Sequence, residues 1–135
     1  MAVFVLSDCT VTVNTIALSQ YVKSVTLVAE RDAVEVTAMS SGGASANAHK
    51  FIGGIQNNSA TIEFMNDEDA AKTLLTLFAA VGSGTNVLVL KNTSAGSTYT
   101  LTDCYLQSTQ PVGGGAVGDL STQSVTFTGG TLVKS

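Results

Sequence analysis

Tryptophan is absent from this chain of 135 residues, and proline and histidine occur once each. Charged residues make up only 12% of it, roughly half the usual share. Six Lys and Arg stand against ten Asp and Glu, giving a formal net charge of −4, and the basic residues form no cluster. Gripping nucleic acid needs cations that displace condensed counterions. The composition therefore excludes a nucleic-acid-wrapping protein, though not one that stands beside nucleic acid. Long apolar runs are also missing. Hydrophobic residues reach 44%, yet no run approaches the roughly 20 residues that span a bilayer, and no membrane partner is expected. The opening MAVFVLSD has no basic region, and its apolar stretch is too short for a signal peptide, so cytoplasmic synthesis is expected. Cys9 and Cys104 lie far apart and are expected to be buried free thiols, not a disulfide.

What remains is a chain of ordinary single-domain size, rich in Ser, Thr, Ala, Gly and Asn. A surface so poor in charge is unusual for a free monomer, and it suggests that other subunits cover much of it. Residues 1–135 read as one domain.

One stretch reads plainly as helix: Asn66–Gly82, NDEDAAKTLLTLFAAVG. Asn66 suits an N-cap. Asp67, Glu68 and Asp69 suit a first turn, where the dipole favours negative charge. Ala70, Leu74, Leu77, Phe78 and Val81 then recur at helical steps, and Gly82 suits the end. The helix is expected over about 67–81, docked on a sheet.

Nearly everything else reads as strand or turn. Val3–Leu6, Thr10–Val13 and Ile16–Leu18 are short β-type runs. Val22–Glu30 alternates, Arg31-Asp32 reads as a tight turn, and Ala33–Met39 returns, so the pair is expected to form an antiparallel hairpin. Ser40–Gly54, SSGGASANAHKFIGG, is about fifteen residues, long for a connection within a compact domain. It is expected to be an assembly loop that orders against a partner, with Phe51 and Ile52 in a packed C-terminal part. Asn57–Phe64 should face Ala60, Ile62 and Phe64 inward. Val87–Leu90 is apolar on both faces and should be covered on both. In Thr98–Ser108, Tyr99, Leu101, Asp103 and Tyr105 should share one face, with Thr100, Thr102, Cys104 and Leu106 on the other. Leu120–Thr128 closes the set, and Thr131–Ser135 reads as a short tail. The fold class is mainly β: a sandwich or partly closed barrel of about seven or eight antiparallel strands with one flanking helix.

Chemistry is scarce. His49 has no carboxylate or cysteine near it in sequence, and a catalytic histidine needs an orienting partner and a nucleophile. Cys9, His49 and Cys104 lack the spacing of zinc ligands. Neither Ser41-Gly42-Gly43 nor Gly113-Gly114-Gly115 leads into a helix as a phosphate loop does. No enzyme activity, cofactor or metal is expected.

Taken in order, the segments VKSVTLVAERDAVEVTAM (Val22–Met39), HKFIGG (His49–Gly54), NSATIEFMND (Asn58–Asp67), the helix and SVTFTGG (Ser124–Gly130) form a pattern. It resembles the tail tube proteins of long-tailed bacteriophages and related prophages. The likeness lies in order and spacing over roughly Val22–Gly130. It implies a β-sandwich whose copies close into rings, of six copies in that family, and stack into a tube that DNA traverses without specific binding. The partners implied are further copies and other virion tail proteins, in a particle made in the host cytoplasm. The subunit-contact loop would include Ser40, Ser41, Gly42, Gly43, His49, Lys50 and Phe51. Glu35 and Glu63 are the candidates for the lumen face. Six copies would carry about −24 formal charges per ring, the sign that lets DNA slide. Two other readings stay open: a capsid decoration protein, and a carbohydrate-binding or adhesion module, for which exposed aromatics are few.

Overall fold

The computed structural model describes residues 8–36, 48–69, 72–93, 96–113 and 115–135. Among these, ten strands, one α-helix and one 3-10 turn follow in the order β1 (Thr10–Val13), β2 (Ile16–Ala17), the 3-10 turn (Ser19–Tyr21), β3 (Val22–Val28), β4 (Arg31–Glu35), β5 (Phe51–Gln56), β6 (Ser59–Met65), α1 (Thr73–Ala80), β7 (Asn86–Lys91), β8 (Thr98–Leu106), β9 (Thr122–Thr128) and β10 (Thr131–Lys134). The run Val3–Leu6 lies outside the described residues.

Eight strands form one folded-over antiparallel sheet in the order β2-β1-β7-β8-β9-β6-β3, with β10 also on β8. The first half of β8 pairs with β7 and β10, and its last residues, Tyr105 and Leu106, pair with β9. It thus belongs to both halves of the sandwich. Their inner faces share one core: Val11 and Val13 of β1, Ala60, Ile62 and Phe64 of β6, Leu88 and Leu90 of β7, Leu101, Cys104 and Leu106 of β8, and Val125 and Phe127 of β9. The alternation expected in β6 is met, with Ala60, Ile62 and Phe64 all fully buried. In β7, Leu88 and Leu90 are buried while Val87 and Val89 are half-covered. The last segment, expected to be a tail, is a strand: Thr131–Lys134 pairs with Tyr99–Thr102.

The alternation in β8 breaks at Asp103. Asn86 pairs with Cys104 and Val87 with Thr102, leaving Asp103 unmatched at φ 62°. This is a β-bulge, in which one extra residue reverses the side-chain parity beyond it. Leu101 therefore points inward before the bulge, Cys104 and Leu106 after it, and Tyr105 points out. The two faces expected from simple alternation are corrected accordingly.

The expected hairpin of Val22–Glu30 with Ala33–Met39 does not form. β3 pairs with β6, and β4 pairs with β5 in a separate two-stranded sheet. Arg31 and Asp32 lie inside β4. Arg-Asp lacks the Gly or Asn that two-residue hairpin turns require, and pairing on β6 sets Val25 beside Ile62 and Leu27 beside Ala60. Residues Thr37–Met39 lie outside the described set.

The helix is shorter than the expected 67–81: it spans Thr73–Ala80, with no side-chain cap and no acidic residue in its first turn. Asn66 is engaged elsewhere, donating to Ser121 Oγ and accepting from Gln123 Nε2, both at 2.7 Å. The acidic run forms the preceding turn, where Asp67 accepts from the Asp69 amide at 2.9 Å. Thr73 sets the helix's rotation by donating to the Met65 carbonyl at 3.0 Å and accepting from the Asp67 amide at 2.8 Å. The buried face is then Thr73, Thr76, Leu77 and Ala80. Of the expected stripe, Leu77 is buried and Leu74 and Val81 are half-buried, but Phe78 points to solvent. Ala70 lies outside the described residues.

Candidate assembly surface

The two-stranded sheet β4–β5 is an arm. No residue of it belongs to the core or packs against the core from the side. It nonetheless exposes several large apolar side chains beside Arg31, Asp32 and Glu35: Val34, with Val36 just beyond β4, and Phe51 57%, Ile52 51% and Ile55 80% exposed. Val34 stands opposite Ile52 on one face, and Glu35 opposite Phe51 on the other. Apolar residues on both faces are the pattern of strands covered on both faces. An isolated two-stranded hairpin is marginal in water. Phe51 and Ile52, expected in a packed C-terminal part of the assembly loop, are exposed on this chain. Phe51–Gly54 of the expected loop is strand. Ser40, Ser41, Gly42 and Gly43 lie outside the described residues.

The arm is tied along its length. Val36 donates its amide to the Lys50 carbonyl at 2.8 Å. Arg31 Nη1 donates to the Gly54 carbonyl at 3.1 Å. His49 lies 6.4 Å from Phe51, centroid to centroid, in a tilted ring contact. Folding also supplies His49 with the carboxylate that sequence neighbours lack: its Nδ1 meets Glu35 Oε2. Both groups are largely exposed, and the contact braces the arm's far end.

A second apolar patch was missed by helical periodicity. Phe78, 61% exposed, and Leu75 join half-buried Leu74 against Pro111 and Val112, forming a groove beside Glu68. The signal was present in the run Leu74-Leu75, Leu77-Phe78, which is apolar over more than one face.

Glu35 and Glu63 stand on different sheets and are not brought together. Glu63 sits half-buried in the row Ser24–Glu63–Ser124 on the outer face of β3, β6 and β9. The next row is Thr26–Thr61–Thr126, where the Thr61 and Thr126 hydroxyls lie 3.3 Å apart. This face is small, polar and almost uncharged.

Among the described residues no three His, Cys, Asp or Glu side chains gather as a metal site, and none of the helices is long and apolar enough to cross a membrane. Both cysteines are free thiols. Cys104 is fully buried and donates to the Asn86 carbonyl at 3.3 Å. Burial, more than the nearby Asp103 charge, pushes its thiol up to about 11.

No protein-family profile matches the sequence, and no curated protein matches it either. The fold does have solved counterparts. A chain of the sheath–tube complex of an extracellular contractile injection system, in its extended state, superposes with a TM-score of 0.67 over 99% of this chain and 92% of that one, at 14% identity. A chain of the virion of a native gene transfer agent particle gives 0.60 over 95% of both chains, at 12% identity. A chain from the tail of an empty gene transfer agent particle, determined with C6 symmetry, gives 0.55 over 85% of this chain and 82% of that one, at 11% identity. The fold is therefore one found in phage-tail-like particles, as the resemblance implies, across nearly the whole chain.

Proposed function

We propose that this protein is a tail tube subunit, which assembles with copies of itself into rings that stack into a DNA-conducting tube within a virion tail. The observation that carries the reading is the arm, apolar on both faces and without a core of its own. A second copy is the partner that buries such a ribbon. Among the described residues β3, seven residues long, pairs with β6 alone, and its other border adds an edge that ring closure would cover. The C6 symmetry of the gene transfer agent tail supports six copies per ring.

In this reading the Ser/Thr rows around Glu63 face the lumen, with Glu35 near its end. The subunit-contact segment is Ser40–Lys50 with Phe51. The net charge of −4 per copy repels phosphate, so DNA passes without being held. The protein performs no catalysis and takes no cofactor.

Negative-stain microscopy of the purified protein tests the proposal. Rings or long tubes are expected; a persistent monomer or trimer that binds only to a capsid shell would replace it with a decoration protein. Deleting Ser41–Ala48 is expected to leave the sandwich folded and block polymerisation. Unchanged polymerisation would remove that loop from the interface.

A further inference from the structure

The β3–β6 ladder ends at the pair Val28–Ser59, and the arm's ladder begins at Arg31–Gln56. Ala29-Glu30 on one strand and Asn57-Asn58 on the other separate the two. The arm is therefore the same ribbon continued past a crease. Asn58 sits in that crease, only 2% exposed. Its Oδ1 accepts from the Glu30 amide at 3.2 Å. Its Nδ2 donates to Gln56 Oε1 at 2.8 Å and to the Gly130 carbonyl at 3.2 Å. Its own carbonyl accepts from the Gly129 amide at 2.8 Å. Gln56 Oε1 in turn accepts from the Leu132 amide at 3.2 Å.

One buried side chain thus bonds to both strands at the crease and to the turn joining β9 to β10. That turn is itself fixed, because Gly130 presses on the β8 backbone beside the Asp103 bulge. No apolar side chain of β4 or β5 joins the core, so apolar packing does not set the arm's angle. The polar links at the crease do.

We propose that Asn58, supported by Gln56, is a positioning clamp that presets the angle between arm and body for docking on a second copy. This rests on the reading that the arm engages another subunit. A preset arm loses less orientational freedom on docking, which is how preorganisation strengthens binding.

The test uses spin labels at Lys23→Cys on the body and Ile55→Cys on the arm, in a Cys9→Ser background; Cys104 is fully buried and escapes labelling. Strand rise places the two sites at most about 30 Å apart, within reach of pulsed dipolar spectroscopy. The parent chain should give one narrow distance distribution. Asn58→Ala and Gln56→Ala should each broaden it at least about twofold and raise the concentration needed for tube formation about tenfold, while melting stays cooperative. If Asn58→Ala does not fold, Gln56→Ala decides. Unchanged widths would overturn the clamp, as would broadening that leaves assembly untouched. The distances are read on unassembled protein. Failure of the parent to form tubes would therefore count against the tube reading and leave the widths to judge the clamp.

Discussion

Replacing Gly130 with alanine would place a methyl carbon 2.4 Å from the Thr102 carbonyl oxygen, at a residue whose φ is +90°. Both effects are costly. A left-handed backbone costs an L-residue about 1–2 kcal/mol, and forcing atoms into a packed site adds about 1–3 kcal/mol. Relief is poor, because the obstacle is main chain, held by the β7 and β10 ladders on either side of β8. The expected loss for Gly130→Ala is about 2–5 kcal/mol. Gly129 supplies the control. Its φ is +78°, and a Cβ there meets nothing within 4 Å, so Gly129→Ala should lose only about 1–2 kcal/mol. Urea titration followed by circular dichroism reads both losses as shifts in midpoint at constant slope. The gap is the steric part alone, and for a domain of this size it corresponds to a difference in melting temperature of about 3–12 °C. Two variants within about 0.5 kcal/mol of each other, roughly the scatter of neutral substitutions, would refute the argument that Gly130 is wedged against β8.

The Thr76 hydroxyl is buried on α1 with no hydrogen-bond partner among the described residues; Thr76→Val should raise stability by about 1 kcal/mol, measured by the same titration. Phe51→Ser and Ile52→Ser should change monomer stability by less than about 0.5 kcal/mol yet abolish sedimenting assemblies in ultracentrifugation. Native protein at pH 8 should lose Cys9 to an alkylating reagent while Cys104 survives, as mass spectrometry would show. Since the Cys104 thiol is raised from 9.0 to about 11 on folding, its contribution is complete below pH 9 and lost as pH rises through 11. The parent should therefore lose more stability across that window than Cys104→Ala does, and parallel profiles would contradict it.

Period-2 alternation exposed the sandwich where strands run regularly: Ala60, Ile62 and Phe64, or Val125 and Phe127, point inward as their spacing demands. It failed at Asp103, because a non-glycine residue at positive φ has no spacing signature, and one inserted residue inverts all that follows. Pairing partners were legible only in part. Arg31-Asp32 lies where a turn would fit, but the core gained by setting β3 on β6 is a long-range effect that no local window contains. The helix was recognised by composition, and its length was overstated because Asn66 and Asp67 are drawn into bonds with Ser121, Gln123 and Thr73. The arm was visible as an unusually long connection before β6, yet its strand Phe51–Gln56 was hidden by two glycines. Asn58 carried no signal at all, since its role depends on a turn 72 residues further on.

The ribbon β8 has a mechanical consequence. Its main chain is hydrogen-bonded into both layers, so the layers cannot shear past one another without breaking the backbone hydrogen bonds to it. A pull applied at the β3 border travels to the β2 border through consecutive backbone ladders, independent of how the side chains between them are packed. A wall built from such units would stretch as stiffly as its hydrogen bonds allow, and would tolerate repacking of its interior better than any break in that one ribbon.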